Sequence, residues 1–185
     1  MKKFLLFFVL LATACAEKVD LGAGQAVLLT VPDTWTAATL PAVPPGMAAV
    51  GIPHRYVTKN GSNDSVLLTL VPVPDDRLAD PETLKTMIEE ASQQFVGGSV
   101  EGKVALKELK IGAVAGFSVT FTDVNLVGKP TVKDDYKAMT SCFVYLGDRV
   151  LVSATIFTDD VNGKAYAEGL RLLKSLSLQR PGRSI

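Results

Sequence analysis

Apolar and polar positions alternate along several short segments of the chain, and this period of two is typical of β-strands. The clearest segment is 116–124, where Phe117, Val119 and Phe121 alternate with serine and threonine. Such alternation indicates a strand with one buried face and one wet face. Further strands are predicted at 25–31, 50–58, 65–73, 104–111, 136–146 and 149–157.

One segment follows the period of an α-helix instead. Apolar residues between Leu84 and Phe95 recur with spacings of three and four, which places them in a single stripe. Asp80 and Pro81 precede this stripe and are typical of a helix cap and first turn. The pair at 97–98, two glycines, marks the end of the helix.

A second helix is predicted over 161–176, after the last strands. Strands, helix, strands and helix in this order belong to the α+β class. We therefore predict an antiparallel β-sheet of about six strands packed against two main helices. Two turns support antiparallel pairing, because Asn60-Gly61 and a two-residue turn at 147–148 are typical hairpin connections.

The beginning of the chain predicts export. Two lysines are followed by eight apolar residues at 4–11 and then by small residues before Cys15. This order of charge, apolar core and small residues is that of a secretory signal peptide, predicted here over 1–14. The apolar run is too short for a transmembrane helix, which needs about 20 residues.

Two processing routes are open for this leader. In the first, the bacterial lipoprotein pathway attaches lipid to Cys15 and cleaves after Ala14. In the second, ordinary signal peptidase cuts after an Ala-x-Ala sequence, and the cysteine is removed or idle. We expect the first route, because an early cysteine in a secreted chain with few cysteines needs a reason, and several acyl chains anchor stably.

The chain then divides into four parts. These are the signal peptide (1–14), the lipid-anchor cysteine with a flexible tether (15–24), one folded domain (25–178) and a polar tail (179–185). The expected location is the periplasmic side of a bacterial membrane. A soluble periplasmic or secreted protein is the alternative.

Composition narrows the functional classes. The chain has 19 basic and 19 acidic residues, and removal of the leader with Lys2 and Lys3 leaves a small acidic excess. A nucleic-acid partner is therefore not expected, because no basic surplus is present to neutralise phosphates. Two cysteines cannot form a disulfide framework.

Groups that could carry catalysis are sparse. His54 is the only histidine, and the sequence contains no Gly-x-Ser-x-Gly nucleophile motif. Cys142 lies in the middle of a predicted strand, where a buried, inert thiol is expected. Paired aspartates at 75–76, 134–135 and 159–160 lack the spacing of a calcium loop. We predict no catalytic residue, no metal site and no cofactor.

The candidate contact surface lies around the single tryptophan. Trp35 is either a core anchor or the rim of a partner groove, since tryptophan is enriched at interface hot spots. The neighbouring segment 40–47 (LPAVPPGM) is apolar and stiffened by prolines. We predict Trp35, Pro44, Pro45 and Met47 as the surface that meets a protein partner.

Four local features occur together in an order that resembles the PsbP-like superfamily. Within it, the chain resembles the DcrB-like bacterial proteins and their Ran-binding Mog-type relatives. The likeness covers about 25–178. The features are Val31–Trp35 (VPDTW), Val71–Pro74 (VPVP) before a helix, Gly112–Phe121 (GAVAGFSVTF), and a final hairpin and helix ending in Ser175-Leu176.

This resemblance implies a non-enzymatic binding or assembly role. The group includes extrinsic photosystem subunits, periplasmic lipoproteins and chaperones for secreted effectors, and it has no shared catalytic constellation. We predict a lipid-anchored envelope protein that binds a protein partner as an accessory or assembly factor. Two alternatives stay open, namely an immunity protein against a periplasmic toxin and a carrier of a small ligand.

Overall fold

The computed structural model describes residues 14–39, 52–133 and 135–180. Within these residues the chain forms ten strands and two α-helices. The strands are β1 (Ala14–Gly22), β2 (Gln25–Pro32), β3 (Trp35–Ala37), β4 (His54–Lys59), β5 (Ser65–Pro72), β6 (Lys107–Ile111), β7 (Val114–Thr122), β8 (Ala138–Gly147), β9 (Val150–Thr158) and β10 (Ser177–Gln179). The helices are α1 (Pro81–Ser92), which continues as a 3₁₀ helix over Gln93–Gly98, and α2 (Lys164–Lys174).

Seven of the strands form one antiparallel sheet in the order β3-β4-β5-β9-β8-β7-β6. The remaining strands form a separate antiparallel sheet in the order β1-β2-β10. The α+β class is confirmed, but the prediction of about six strands in one sheet is wrong. The short strands β3 and β10 have three residues each, too few to show an alternating pattern in the sequence.

Strand β1 replaces the flexible tether that was predicted over 15–24. It pairs with β2 along nearly its whole length. Val19 and Leu21 pack against the hydrophobic core, and Glu17 forms an ion pair with Arg55 on β4. The prediction failed because this strand is stabilised by its partner strand and not by a strong pattern of its own. Of the predicted signal peptide, all but the last residue lies outside the described residues.

The end of the domain also extends further than predicted. Gln179 belongs to β10, which pairs with β2, and Arg180 forms an ion pair with Asp148 between β8 and β9. The polar tail predicted from residue 179 therefore begins no earlier than 181. Residues 181–185 lie outside the described part of the chain.

Both faces of the seven-stranded sheet carry packed apolar layers. One face packs against α2 and the small sheet. On the other face, Tyr145 and Leu151 pack against Leu84 and Ile88 of α1. Gly169 allows α2 to lie close to the sheet, because a Cβ there would be 3.3 Å from methyl groups on β5 and β9.

Helix α1 begins as predicted and ends earlier. Asp80 caps it, because its carboxylate accepts a hydrogen bond from the Thr83 N–H at 2.9 Å. Leu84 and Ile88 of the predicted stripe are buried. After Ser92 the chain continues as a 3₁₀ helix, so Phe95 leaves the stripe and is 37% exposed.

The hairpin between β8 and β9 turns one residue later than predicted. Gly147 pairs with Val150, so the two central residues are Asp148 and Arg149. Their φ angles are 50° and 62°, which are the positive values of a type I′ turn. The connection over 60–64 is confirmed, since β4 and β5 pair antiparallel across it.

Candidate partner-binding surface

Trp35 belongs to the core and not to an exposed groove. It is 4% exposed, and its indole Nε1 donates a hydrogen bond to Oε2 of Glu168 at 3.0 Å. The core-anchor interpretation is therefore confirmed, and its place in the predicted partner surface is wrong. The other predicted members of that surface, Pro44, Pro45 and Met47, lie outside the described residues.

Glu168 on α2 is the centre of the buried polar contact around Trp35. Its Oε2 accepts hydrogen bonds from Lys59 Nζ at 2.6 Å and from Thr34 Oγ1 at 3.3 Å, besides that from the indole. Burial by itself raises the pKa of Glu168. Hydrogen bonds from Lys59 and Trp35, with the charges of Lys59 and Lys164, outweigh burial and lower the pKa. This carboxylate connects α2 to β3 and β4.

The residues that could have carried nucleophilic chemistry are placed apart. His54 is exposed at the start of β4, with Nδ1 3.2 Å from the carbonyl oxygen of Ile52. Cys142 is completely buried on β8, and burial raises the pKa of its thiol to about 12. Its predicted role as a small buried apolar residue is confirmed. Cys15 is exposed near the start of β1.

Acidic residues and cysteines do not gather into a metal site in the part of the chain that the structure describes. No group of three or more His, Cys, Asp or Glu side chains there is arranged to hold a metal ion. Over the same residues, no helix has both the length and the apolar character needed to cross a bilayer.

A pocket with an aromatic lining lies just beyond the end of α1. Its volume is about 240 Å³, and it opens between the 3₁₀ helix Gln93–Gly98, the end of β7 and the start of β8. We call it the Phe95 pocket. Its lining includes Phe95, Phe121, Tyr136, Met139, Asp123 and Lys137.

The aromatic side chains of the Phe95 pocket belong to a longer apolar row that continues to Phe157 on β9. The ring centroids of Phe95 and Phe121 are 5.6 Å apart, and those of Tyr136 and Phe157 are 4.4 Å apart. Met139 joins the two pairs, because it lies opposite Phe121 on β7 and opposite Phe157 on β9. The floor of the pocket is thus built on β7 and β8, and Phe157 on β9 extends the row of apolar side chains beyond the lining.

Carboxylates lie close to this aromatic floor. Burial raises the pKa of Tyr136, and the negative charges of Asp135 and Asp123 raise it further. Glu101 accepts two hydrogen bonds, each of 2.8 Å, from the N–H and hydroxyl of the pocket residue Thr122. Two aspartates therefore act on the tyrosine hydroxyl, and a third carboxylate is bonded to the adjoining end of β7.

Two exposed valines each follow a lining residue of the pocket directly in the chain. A bridge between the pocket residues Ser99 and Asp123 brings their two segments together. The next residue on each segment is a valine, and Val100 and Val124 are 56% and 53% exposed. Because the bridge is antiparallel, the two valines lie on opposite sides of it, with Val100 beside Thr122. We call these two residues the valine rim.

Sequence reasoning missed this site. The helical period placed Phe95 on the buried stripe of α1, and the strand pattern gave no role to Tyr136 or Met139. The glycine pair at 97–98 indicated only where the helical segment would end. Nothing local indicated that its last turn would meet the ends of β7 and β8.

Comparison with solved structures places the fold. The chain is similar to cyanobacterial PsbP (CyanoP) from Synechocystis sp. PCC 6803, with a TM-score of 0.53 and 10% identity over 95% of this chain and 98% of that one. The PsbP-like resemblance seen in the sequence is confirmed at the level of the fold. No protein-family model and no curated protein matches the sequence.

Two structures of Mog1 also match, with lower scores. The Ran-binding protein Mog1p of Saccharomyces cerevisiae has a TM-score of 0.43 and 16% identity over 88% of this chain and 89% of that one. A point mutant of Mog1 has a TM-score of 0.42 and 15% identity over 86% and 88% of the two chains.

Proposed function

We propose that this protein is a non-catalytic binding protein that holds a protein partner through the Phe95 pocket and the valine rim. One observation carries the proposal: an aromatic pocket opens at a bridge whose two residues are each followed by a valine that is more than half exposed. Scattered exposed apolar residues need no explanation, but a contiguous group of them marks an interaction site. Interface hot spots are commonly pockets of this kind, surrounded by apolar surface that excludes water.

A binding role agrees with the state of the reactive groups. The Cys142 thiol has a pKa of about 12 and no exposed surface, so it supplies no thiolate at neutral pH. His54 is exposed on β4 and its Nδ1 contacts a carbonyl oxygen, not a carboxylate. A general base of the usual kind needs an orienting acidic partner and a nucleophile within hydrogen-bond distance.

We further propose that the protein is exported to the periplasmic side of a bacterial membrane and anchored there by lipid on Cys15. The leader-like pattern at the start of the chain supports export. The exposure of Cys15 supports modification, because an enzyme must reach the thiol. Since β1 begins beside this residue, the anchor holds the domain close to the bilayer without a long tether.

The partner surface can be tested by site-specific photo-crosslinking in the source organism. A photoreactive phenylalanine analogue replaces Val124, and in a matched control it replaces Glu89, which is exposed on α1. We expect a discrete protein adduct from position 124 only, and we expect Phe95→Ala to remove it while thermal unfolding stays cooperative. Absence of the adduct, or the same adduct from both positions, would contradict the proposed surface.

The anchor can be tested separately with globomycin, which blocks the lipoprotein signal peptidase. We expect a lipidated precursor to accumulate in treated cells expressing the natural chain, and no such precursor with Cys15→Ser. If treatment changes neither the mass nor the amount of the natural protein, the anchoring proposal fails and a soluble exported protein is left. The partner surface is unaffected by that outcome.

A further inference from the structure

We infer that the Phe95 pocket binds a cationic side chain, an arginine or a lysine, presented by the protein partner; this rests on the proposed binding function. The inference stands on the size of the pocket, the aromatic rings that line it and the carboxylates around it. The size favours a single side chain, the rings favour a cation on an apolar stem, and the carboxylates favour a positive charge.

The size of the pocket suits a side chain better than a free small molecule. Its volume is about 240 Å³, whereas pockets that enclose drug-sized ligands usually measure about 300–1,000 Å³. A small molecule would also leave the valine rim uncovered. A partner chain can fill the pocket with one residue and cover Val100 and Val124 with its neighbours.

The rings supply attraction for a cation. Phe95, Phe121 and Tyr136 all line the pocket. The face of an aromatic ring attracts a guanidinium or ammonium group, and several rings around one site form an aromatic cage. The sulfur of Met139 adds a polarizable contact for the alkyl stem of the same side chain.

The charges around the pocket have the complementary sign. Asp123 lines it, Asp135 accepts a hydrogen bond from the Tyr136 N–H at 2.9 Å, and Glu101 is bonded to Thr122. Asp159 accepts a hydrogen bond from the Lys137 N–H at 3.2 Å. The lining itself holds one carboxylate, Asp123, and one ammonium, Lys137. The three further carboxylates, each bonded to a lining residue, shift the surroundings of the pocket toward negative charge.

Lys137 allows a direct test of the inference, because its ammonium repels a cationic occupant and attracts an anionic one. If the occupant is cationic, Lys137→Gln strengthens binding and Asp123→Asn weakens it. If the occupant is anionic, both signs reverse. Asparagine can still cap the 3₁₀ helix Val124–Leu126 as Asp123 does, so this substitution tests charge and not folding.

The experiment is an NMR titration of the folded chain with three probes of similar size. They are n-butylguanidinium, the neutral and similarly planar n-butylurea, and the anion pentanoate. We expect shifts at Phe95, Phe121 and Tyr136 with butylguanidinium at millimolar concentration, and binding at least about fivefold weaker for the other two probes. Asp123→Asn should weaken butylguanidinium binding about fivefold and Lys137→Gln should strengthen it by a similar factor.

Glu82→Gln, an exposed change near the start of α1, is the matched control and should leave the affinity unchanged. Equal binding of butylurea, preference for pentanoate, reversed signs in the two variants, or no shift in the pocket would each overturn the inference. A crosslink from position 124 together with any of these results would keep the partner surface and reject only the cationic occupant. Loss of both would reject the proposed function itself.

Discussion

Replacing Glu168 by glutamine should destabilise this protein more than any other single change of charge to amide that we consider. Glu168 is 4% exposed, and its carboxylate accepts hydrogen bonds from Lys59, Trp35 and Thr34. Glutamine keeps the shape of the side chain but removes the negative charge. The Lys59 ammonium, whose side chain is only 17% exposed, then loses its counter-ion.

The magnitude follows from the burial of this pair. Removing one partner of a buried ion pair costs about 3–5 kcal/mol, because the other charge is left in a poorly solvated site. Because Lys59 is partly exposed and also donates a hydrogen bond to Thr34 at 3.1 Å, we expect a cost of about 3 kcal/mol, at the lower end of this range. For a domain of this size, that corresponds to a fall in Tm of about 6–12 °C.

Urea unfolding followed by tryptophan fluorescence measures this directly, because the chain has one tryptophan and it contacts Glu168. The urea concentration at the unfolding midpoint should be lower for Glu168→Gln than for the natural chain. The dependence of the free energy of unfolding on urea concentration should be unchanged. Glu89→Gln, an exposed change on α1, is the control and should shift stability by less than about 0.5 kcal/mol. A double variant with Lys59→Met should cost less than the sum of the two single changes.

The same contact predicts a pH dependence with a definite sign. The folded-state pKa of Glu168 lies below its ordinary value of 4.5. A carboxylate whose pKa is lower in the folded state stabilises the protein at pH values above its unfolded-state pKa. That stabilisation is lost as the pH falls through the folded-state pKa. The stability gap between the natural chain and Glu168→Gln should therefore be full at neutral pH and narrow below about pH 4.5. The reasoning would be refuted if the two proteins differed by less than about 0.5 kcal/mol in free energy of unfolding at pH 7, or if this difference grew in acid.

Three further substitutions or reactions have expected outcomes. Arg149→Gly should stabilise the protein by about 0.5–1 kcal/mol in urea unfolding, because residue 149 has a φ of 62° and an Asp-Gly pair suits the type I′ turn; a lower midpoint would count against it. Gly116→Ala should cost about 2–3 kcal/mol, because its Cβ would lie 2.6 Å from the carbonyl oxygen of Phe143 on the next strand, and an unchanged midpoint would contradict that packing. In unlipidated protein, a thiol reagent at pH 8 should label Cys15 at once and Cys142 only after denaturant is added, since the buried thiol has a pKa of about 12; rapid double labelling of native protein would disprove it.

The regular elements with strong local patterns could be read from the sequence. The alternation at 116–124 corresponds to β7, and the cap, stripe and glycine pair around 80–98 correspond to α1 and its 3₁₀ extension. The burial of Cys142 followed from its place in an apolar strand. These features depend on neighbouring residues, so the period of apolar positions carries the information.

The binding surface could not be read in this way. Its parts come from a 3₁₀ helix at 93–98, the end of β7 near 121–123 and the start of β8 near 136–139. Each part has an ordinary local pattern. The pocket exists only because antiparallel pairing sets Phe121 opposite Met139 and the 3₁₀ helix places Phe95 against Phe121.

What the sequence by itself determined is the α+β class, α1 with its cap, and most strands of the large sheet, because hydrophobic period and turn residues act over a few positions. Tertiary structure alone decided that Ala14–Gly22 is a strand, because β1 depends on pairing with β2. It also decided that Trp35 is buried, since its hydrogen-bond partner, Glu168, lies 133 positions along the chain. Contacts between segments so far apart leave no periodic signal in either segment.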